Sequence, residues 1–89
     1  MNIQFSDEVD RELKKIKRKN KQLFRQIEKQ IILFQNNPKH PSLRLHKLSG
    51  DLDGIWSISI SKNIRMTYIQ EANIAYFIDI VTHSEIYGK

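Results

Sequence analysis

The residues from Ile55 to Ile60 alternate between apolar and polar side chains, and this alternation constrains the fold more than any other feature of the sequence. In an extended chain, Trp56 and Ile58 would point to one side while Ser57 and Ser59 point to the other. A period of two is typical of a half-buried β-strand. We therefore predict a strand here, with its apolar side facing the core.

A second alternating run, Ile64 to Tyr68, follows after a short loop. A two-residue loop of Lys62 and Asn63 would pair Ile60 with Arg65 and set apolar against polar side chains. A three-residue loop, with Asn63 in the left-handed conformation, avoids this conflict. The register that results pairs Ile60 with Ile64, Ile58 with Met66 and Trp56 with Tyr68.

The same register collects four side chains on the other side of the hairpin, and we call this set the polar face: Ser57, Ser59, Arg65 and Thr67. It contains one guanidinium, whose planar fork suits a phosphate group. We therefore expect function to lie on the polar face.

The rest of the chain predicts two helices and further strands. Ser6, followed by two acids, and Asn20 are typical helix N-caps, and Pro38 ends the second helix. The predicted elements around the hairpin are a strand at Asn2–Phe5, a helix from Ser6 to about Lys19, a helix from Asn20 to Asn36, and strands at Leu43–Leu48 and Ile74–Val81. This order predicts an α+β fold in which a helical hairpin packs on one face of a twisted, mainly antiparallel sheet.

Length and composition limit the alternatives. The 89 residues predict one domain spanning 1–89, and the absence of cysteine excludes disulfides and thiolate metal sites. No apolar run approaches the ~20 residues that a membrane span needs, so we expect a cytoplasmic protein. The net charge of +5 favours an anionic partner, either a nucleic acid or an acidic protein.

Much of this charge lies in the predicted helical hairpin. Between Arg11 and Lys29 there are nine Lys or Arg residues against two Glu. Such a run is either a solvated face or a surface that binds an anion or a partner, and the sequence leaves both open.

The candidate chemical groups are three histidines, Arg65 and Tyr87. A zinc site is not predicted because His40, His46 and His83 lack metal-ligand spacing. His46 lies in a predicted strand and is either a surface histidine or a catalytic one. His83 precedes Tyr87 by four residues, so a helical turn would place both on one side. An acid or base, a cation and a stacking ring are the groups that metal-free RNA cleavage requires.

Four segments behind the helical hairpin resemble the RelE/ParE superfamily of type II toxins. They are HKLSG (46–50), GIWSISI (54–60), IRMTY (64–68) and DIVTHSEIYG (79–88). The ending, Thr-His, three residues and an aromatic followed by Gly, is most similar to the YafQ branch. The resemblance covers nearly the whole chain and implies a compact toxin that cleaves mRNA, usually in the ribosomal A site, and is neutralised by an antitoxin.

The resemblance also implies site residues. The catalytic histidine of the YafQ branch falls on His83, the nearby aromatic on Tyr87, and the histidine ahead of Leu-x-Gly on His46. The phosphate-binding arginine of RelE-type members falls on Arg65. We add four RNA-binding candidates: Lys47, Ser57, Ser59 and Lys62.

This sequence departs from the family pattern at three positions. Ser59 stands where the YafQ branch has a further histidine, and Asn63 replaces an acidic residue. RelE-type members carry lysines at the positions of Ser57 and Ser59. The departures indicate that one proton-transfer partner is missing and that activity is reduced.

The resulting hypothesis is an endoribonuclease toxin, without metal or other cofactor, whose partners are mRNA, the ribosome and a cognate antitoxin. In it the 2'-hydroxyl of the RNA attacks the adjacent phosphate. Two alternatives remain at this stage. One is a ParE-like toxin that inhibits DNA gyrase without being a nuclease, and the other is a catalytically weak relic that retains antitoxin binding.

Overall fold

A computed structural model describes residues 1–48 and 54–82. Its secondary structure follows the predicted order. The elements are β1 (Asn2–Phe5), α1 (Asp7–Lys19), α2 (Lys21–Asn36), a 3₁₀ turn (Pro41–Leu43), β2 (His46–Lys47), β3 (Ile55–Ser59), β4 (Ile64–Glu71) and β5 (Ile74–Thr82). The predicted helix caps are confirmed: the side chain of Ser6 accepts a hydrogen bond from the amide of Val9, and that of Asn20 from the amide of Leu23, each at 3.1 Å.

The strands form one five-stranded sheet in the order β1-β5-β4-β3-β2. β1 runs parallel to β5, and the other neighbours are antiparallel. The predicted hairpin register is confirmed, with Trp56 opposite Tyr68 and Ile58 opposite Met66. The predicted left-handed conformation of Asn63 is wrong, since positive φ among the described non-glycine residues occurs at Arg44 and Ala72. The loop closes instead through the carbonyl of Ile64, which accepts from two loop amides.

Both helices pack on the apolar face of this sheet and build the core there. α1 contributes Val9 and Ile16, and α2 contributes an apolar stripe that ends at Phe34. The Phe34 ring lies 5.1 Å from the ring of Tyr68 and 5.6 Å from that of Phe77, between centroids. Each large side chain buried in this way stabilises the fold by about 2 kcal/mol. Burial also raises the pKa of Tyr68 to about 12.

The predicted strand at Leu43–Leu48 is wrong in its first half. Pro41 begins a 3₁₀ turn, in which the His40 ring accepts a hydrogen bond from the amide of Ser42 at 3.1 Å. Arg44 then adopts the left-handed conformation, with φ 46° and ψ 50°. Extended structure is therefore interrupted, and β2 contains only two residues. The turn places Leu43 in the core, where it is fully buried.

The α+β architecture predicted from the sequence is therefore confirmed: a short strand and a helical hairpin cover one face of a mainly antiparallel sheet. The polar face lies on the opposite side. In the part of the chain that the structure describes, no helix has the length and apolar character needed to cross a membrane.

Candidate nucleic-acid site

The polar face exists as the register predicts. Ser57 pairs with Thr67, and Ser59 pairs with Arg65. His46 on β2 pairs with Ser57, so it belongs to the same face of the sheet. The structure thus brings one histidine, one guanidinium and three hydroxyl groups together on neighbouring strands.

Arg65 is the most constrained residue of this face, because only 7% of it is exposed. Its Nε donates a hydrogen bond to the hydroxyl of Ser57. Its Nη2 donates to the carbonyl of Ser57 at 3.2 Å and to the carbonyl of Arg44 at 2.7 Å. These bonds tie Arg65 of β4 to β3 and to the turn after the 3₁₀ segment.

That turn is itself unusual, since an arginine rarely adopts positive φ. Such a conformation costs about 1–3 kcal/mol and persists only where the surroundings hold it. Here the Arg44 amide donates to the carbonyl of Pro41 at 3.1 Å, and the Arg44 carbonyl accepts from Arg65. These contacts hold the Arg44 backbone in place while its side chain stays exposed.

A buried glutamine holds the same turn from the helical side. Gln30 of α2 is 8% exposed, and its amide nitrogen donates to the carbonyl of Ser59 at 3.0 Å and to that of Ser42 at 3.4 Å. Because a buried carbonyl without a donor is costly, these bonds stabilise the contact between α2, the end of β3 and the turn. Gln30 therefore fixes the spacing of the elements around the site.

Between these elements lies a cleft of about 650 Å³, within the ~300–1,000 Å³ typical of ligand pockets. We call it the basic cleft. Its described lining residues are Gln26, Lys29, Gln30, Ser42, Arg44, Ser59, Ile60, Ser61, Lys62 and Arg65. Four of them are cations, and none of the described lining residues is acidic. The cleft can therefore attract an anion along its whole length.

The remaining sequence candidates are placed differently. Lys62 and Ser59 line the basic cleft. Lys47 does not, and its ammonium lies 5.7 Å from the centroid of the Trp56 ring. His83 and Tyr87 lie outside the described residues. An RNA contact by Lys47, like the catalytic role of each candidate, stays a prediction.

The residues of this site that sequence reasoning missed include Lys29, Gln30 and Arg44. Gln30 could have been found, because it interrupts the apolar stripe of α2 between Ile27 and Ile31. Arg44 gave no signal, since its left-handed conformation depends on contacts with residues far along the chain. Among the described residues, no group of three or more His, Asp or Glu side chains could hold a metal ion.

The comparison with protein families decides the identity. Residues 1–88 match the family described as bacterial toxin of type II toxin-antitoxin system, YafQ. The chain belongs to this family. The resemblance to RelE/ParE toxins, and to their YafQ branch in particular, is thereby confirmed. A search of curated proteins finds no match.

Solved structures show the same fold at low sequence identity. The YoeB/ParE toxin from Agrobacterium tumefaciens is 19% identical, with a TM-score of 0.78 over 93% of this chain and 99% of that one. The YoeB-YefM complex from Staphylococcus aureus is 23% identical, with a TM-score of 0.76 over 93% of this chain and 97% of that one. The E. coli DinJ-YafQ complex is 17% identical, with a TM-score of 0.74 over 98% of each chain. These YafQ-family and YoeB-type toxins therefore share the architecture described above.

Proposed function

We propose that this YafQ-family toxin is an endoribonuclease that cleaves mRNA on the ribosome. The observation that supports this most directly is the basic cleft beside the polar face, because a phosphate backbone requires cations and hydrogen-bond donors in that arrangement. His46 and Arg65 share the polar face with the hydroxyl groups of Ser57 and Thr67. In this proposal His46 supplies a proton-transfer group and Arg65 supplies a cation.

In the proposed reaction, the 2'-hydroxyl of one nucleotide attacks the adjacent phosphorus. A bond forms between the 2'-oxygen and phosphorus, and the bond from phosphorus to the 5'-oxygen of the next nucleotide breaks. His83, with assistance from His46, transfers the proton of the attacking 2'-hydroxyl to the leaving 5'-oxygen, which becomes a 5'-hydroxyl while a 2',3'-cyclic phosphate remains. Arg65 stabilises the charge that develops on the phosphate. Tyr87 stacks on or orients a base. No cofactor takes part.

The cytoplasm is the proposed place of action, since the ribosome is the proposed site of cleavage. A cognate antitoxin is the proposed protein partner. Two of the structural relatives were solved as complexes, YoeB with YefM and YafQ with DinJ. The excess of Lys and Arg on the helical hairpin suits an acidic segment of such a partner.

Purified ribosomes with a defined mRNA test the proposal. We expect position-specific cuts that depend on the toxin, and the His83→Gln variant should cut about 10²- to 10⁴-fold more slowly. Glutamine keeps a hydrogen bond but cannot exchange a proton near neutral pH, so melting temperature and antitoxin affinity should stay at the parental values. Parental cutting by a folded His83→Gln protein would remove His83 from the mechanism. Intact mRNA together with inhibited gyrase would instead support the ParE-like alternative.

A further inference from the structure

Three exposed cations reach the basic cleft from three separate segments. Lys29 comes from α2, Arg44 from the turn after the 3₁₀ segment, and Lys62 from the loop between β3 and β4. These segments are far apart in the chain, and the fold brings them to one cleft. Like charges gathered at one place repel each other, so their convergence indicates an anionic ligand.

The position of Arg44 shows that this convergence is built into the structure. Its left-handed backbone is held by the hydrogen bond from Arg65, which is itself buried. Gln30 anchors the same turn through Ser42. Two buried polar side chains therefore act together to place one exposed cation at the cleft. Strained backbone that is held in this way occurs typically at functional sites.

The composition of the cleft distinguishes RNA from an acidic peptide. Only Ile60 is apolar among the ten described lining residues, and the others carry hydroxyl, amide, ammonium or guanidinium groups. Protein interfaces gain most of their binding energy from apolar and aromatic anchors in desolvated pockets. Contacts to a nucleic-acid backbone come instead from Lys, Arg, Ser and Gln side chains. The cleft therefore has the composition of a nucleic-acid contact and not that of a protein interface.

We propose that Lys29, Arg44 and Lys62 bind the phosphates of single-stranded RNA on one side of the scissile bond, and that Arg65, in addition to its proposed contact with the scissile phosphate, positions Arg44. This inference rests on the proposed function, because it assigns a subsite for the same substrate. The cations of the cleft bind neighbouring phosphates and determine how the strand is held.

The salt dependence of RNA binding gives the expected size of the effect. Each phosphate contact contributes about 0.7 to the slope of log K against log salt for a single strand. Replacing one of the three cations by glutamine should therefore lower the slope by about 0.7, and replacing all three by about 2. At 150 mM salt this corresponds to about a fourfold loss of affinity for each substitution and about a fiftyfold loss for the triple variant.

The experiment uses a short RNA whose 2'-hydroxyls are methylated, so that it binds without being cut. Fluorescence anisotropy measures its Kd from about 50 to 200 mM salt. The test variant carries Gln at Lys29, Arg44 and Lys62. The matched control carries Gln at three other exposed cations of α1 and has the same net charge: Arg11, Lys14 and Arg18. We expect the slope to fall in the test variant and to keep its parental value in the control.

Equal slopes in the two triple variants would overturn the inference, since net charge alone would then explain the binding. It would also be overturned if the test variant lost affinity for the antitoxin while its RNA slope stayed parental. Arg65→Lys tests the positioning role. The Arg65→Lys variant should lower the salt slope about as much as Arg44→Gln does. Added to Arg44→Gln, it should not lower the slope further.

This assay and the ribosome assay can fail separately. A protein that binds the methylated RNA through the cleft but cuts no mRNA would refute the proposed cleavage and leave the subsite standing. A protein that cuts mRNA while the test variant keeps the parental slope would refute the subsite and leave the nuclease standing.

Discussion

Replacing Arg65 by lysine should destabilise the protein strongly, although the charge is conserved. This side chain donates hydrogen bonds to Ser57 and to the carbonyl of Arg44. A single ammonium cannot reproduce the fork, so we expect at least two of these bonds to be lost. Hydrogen bonds to charged groups contribute about 1.5–3 kcal/mol each, and at the lower value the loss is about 3 kcal/mol.

A loss of this size is large for an 89-residue chain, because small domains have only about 5–15 kcal/mol of stability in total. It corresponds to a fall in melting temperature of about 12–24 °C. Urea denaturation followed by circular dichroism measures the free energy of unfolding, and RNA cleavage is then compared per folded molecule. The matched control is Arg25→Lys, at an exposed position of α2, where we expect a change below about 0.5 kcal/mol.

One result would refute this reasoning. If Arg65→Lys unfolded at the parental urea concentration while RNA cleavage fell, the guanidinium would act on the substrate without holding the turn. The sequence alone predicts that outcome, since it identifies the charge and the face but not the burial. The measurement therefore separates the structural role of Arg65 from its predicted phosphate contact.

Three further predictions concern the core, the cleft and the helical hairpin. Burial raises the folded-state pKa of Tyr68 from 10.0 to about 12, so its contribution to stability is present below pH 10 and is lost as pH rises towards 12. The free energy of unfolding should fall by at most about 1.4 kcal/mol per pH unit in this range. Urea titrations should show this alkaline loss in the parent and a smaller one in Tyr68→Phe. Gln30→Leu removes the donor for two carbonyls and should lower the free energy of unfolding by about 1–3 kcal/mol, whereas an unchanged urea midpoint would show that water replaces the amide. We expect that replacing Lys15, Lys17 and Lys19 together by Gln weakens binding to the ribosome or the antitoxin and reduces the salt dependence of that binding. Unchanged binding of both partners would identify this face as merely solvated.

The hairpin could be predicted because its alternation admits one register. A shift of one residue would have moved Ile58 and Met66 out of the core, and no later contact could compensate for that loss. The helix caps at Ser6 and Asn20 were equally readable, since capping depends on residues within one turn. Local chemistry and a single buried face therefore account for most of the fold.

The turn at Arg44 could not be predicted, because it depends on contacts with residues far along the chain. The residues from Leu43 to His46 alternate like a strand, yet a donor from Arg65 and the burial of Leu43 override that pattern. The same long-range bonds explain why the burial of Arg65 was missed while its face was predicted correctly. The roles of His46 and Arg65 stay predictions, and His83 lies outside the described residues.

The parallel pairing of β1 with β5 affects how the chain is made. The first strand pairs with the last of the described strands, and Ala75 and Phe77 of β5 enter the core only at that stage. Pairing across such a separation in sequence is slow, because the loop entropy is lost before the contacts form. A nascent chain therefore exposes the apolar face of its hairpin until β5 has left the ribosome. A truncated chain that ends before β5 lacks the strand between β1 and β4, and the sheet edge left exposed on β4 is prone to aggregation.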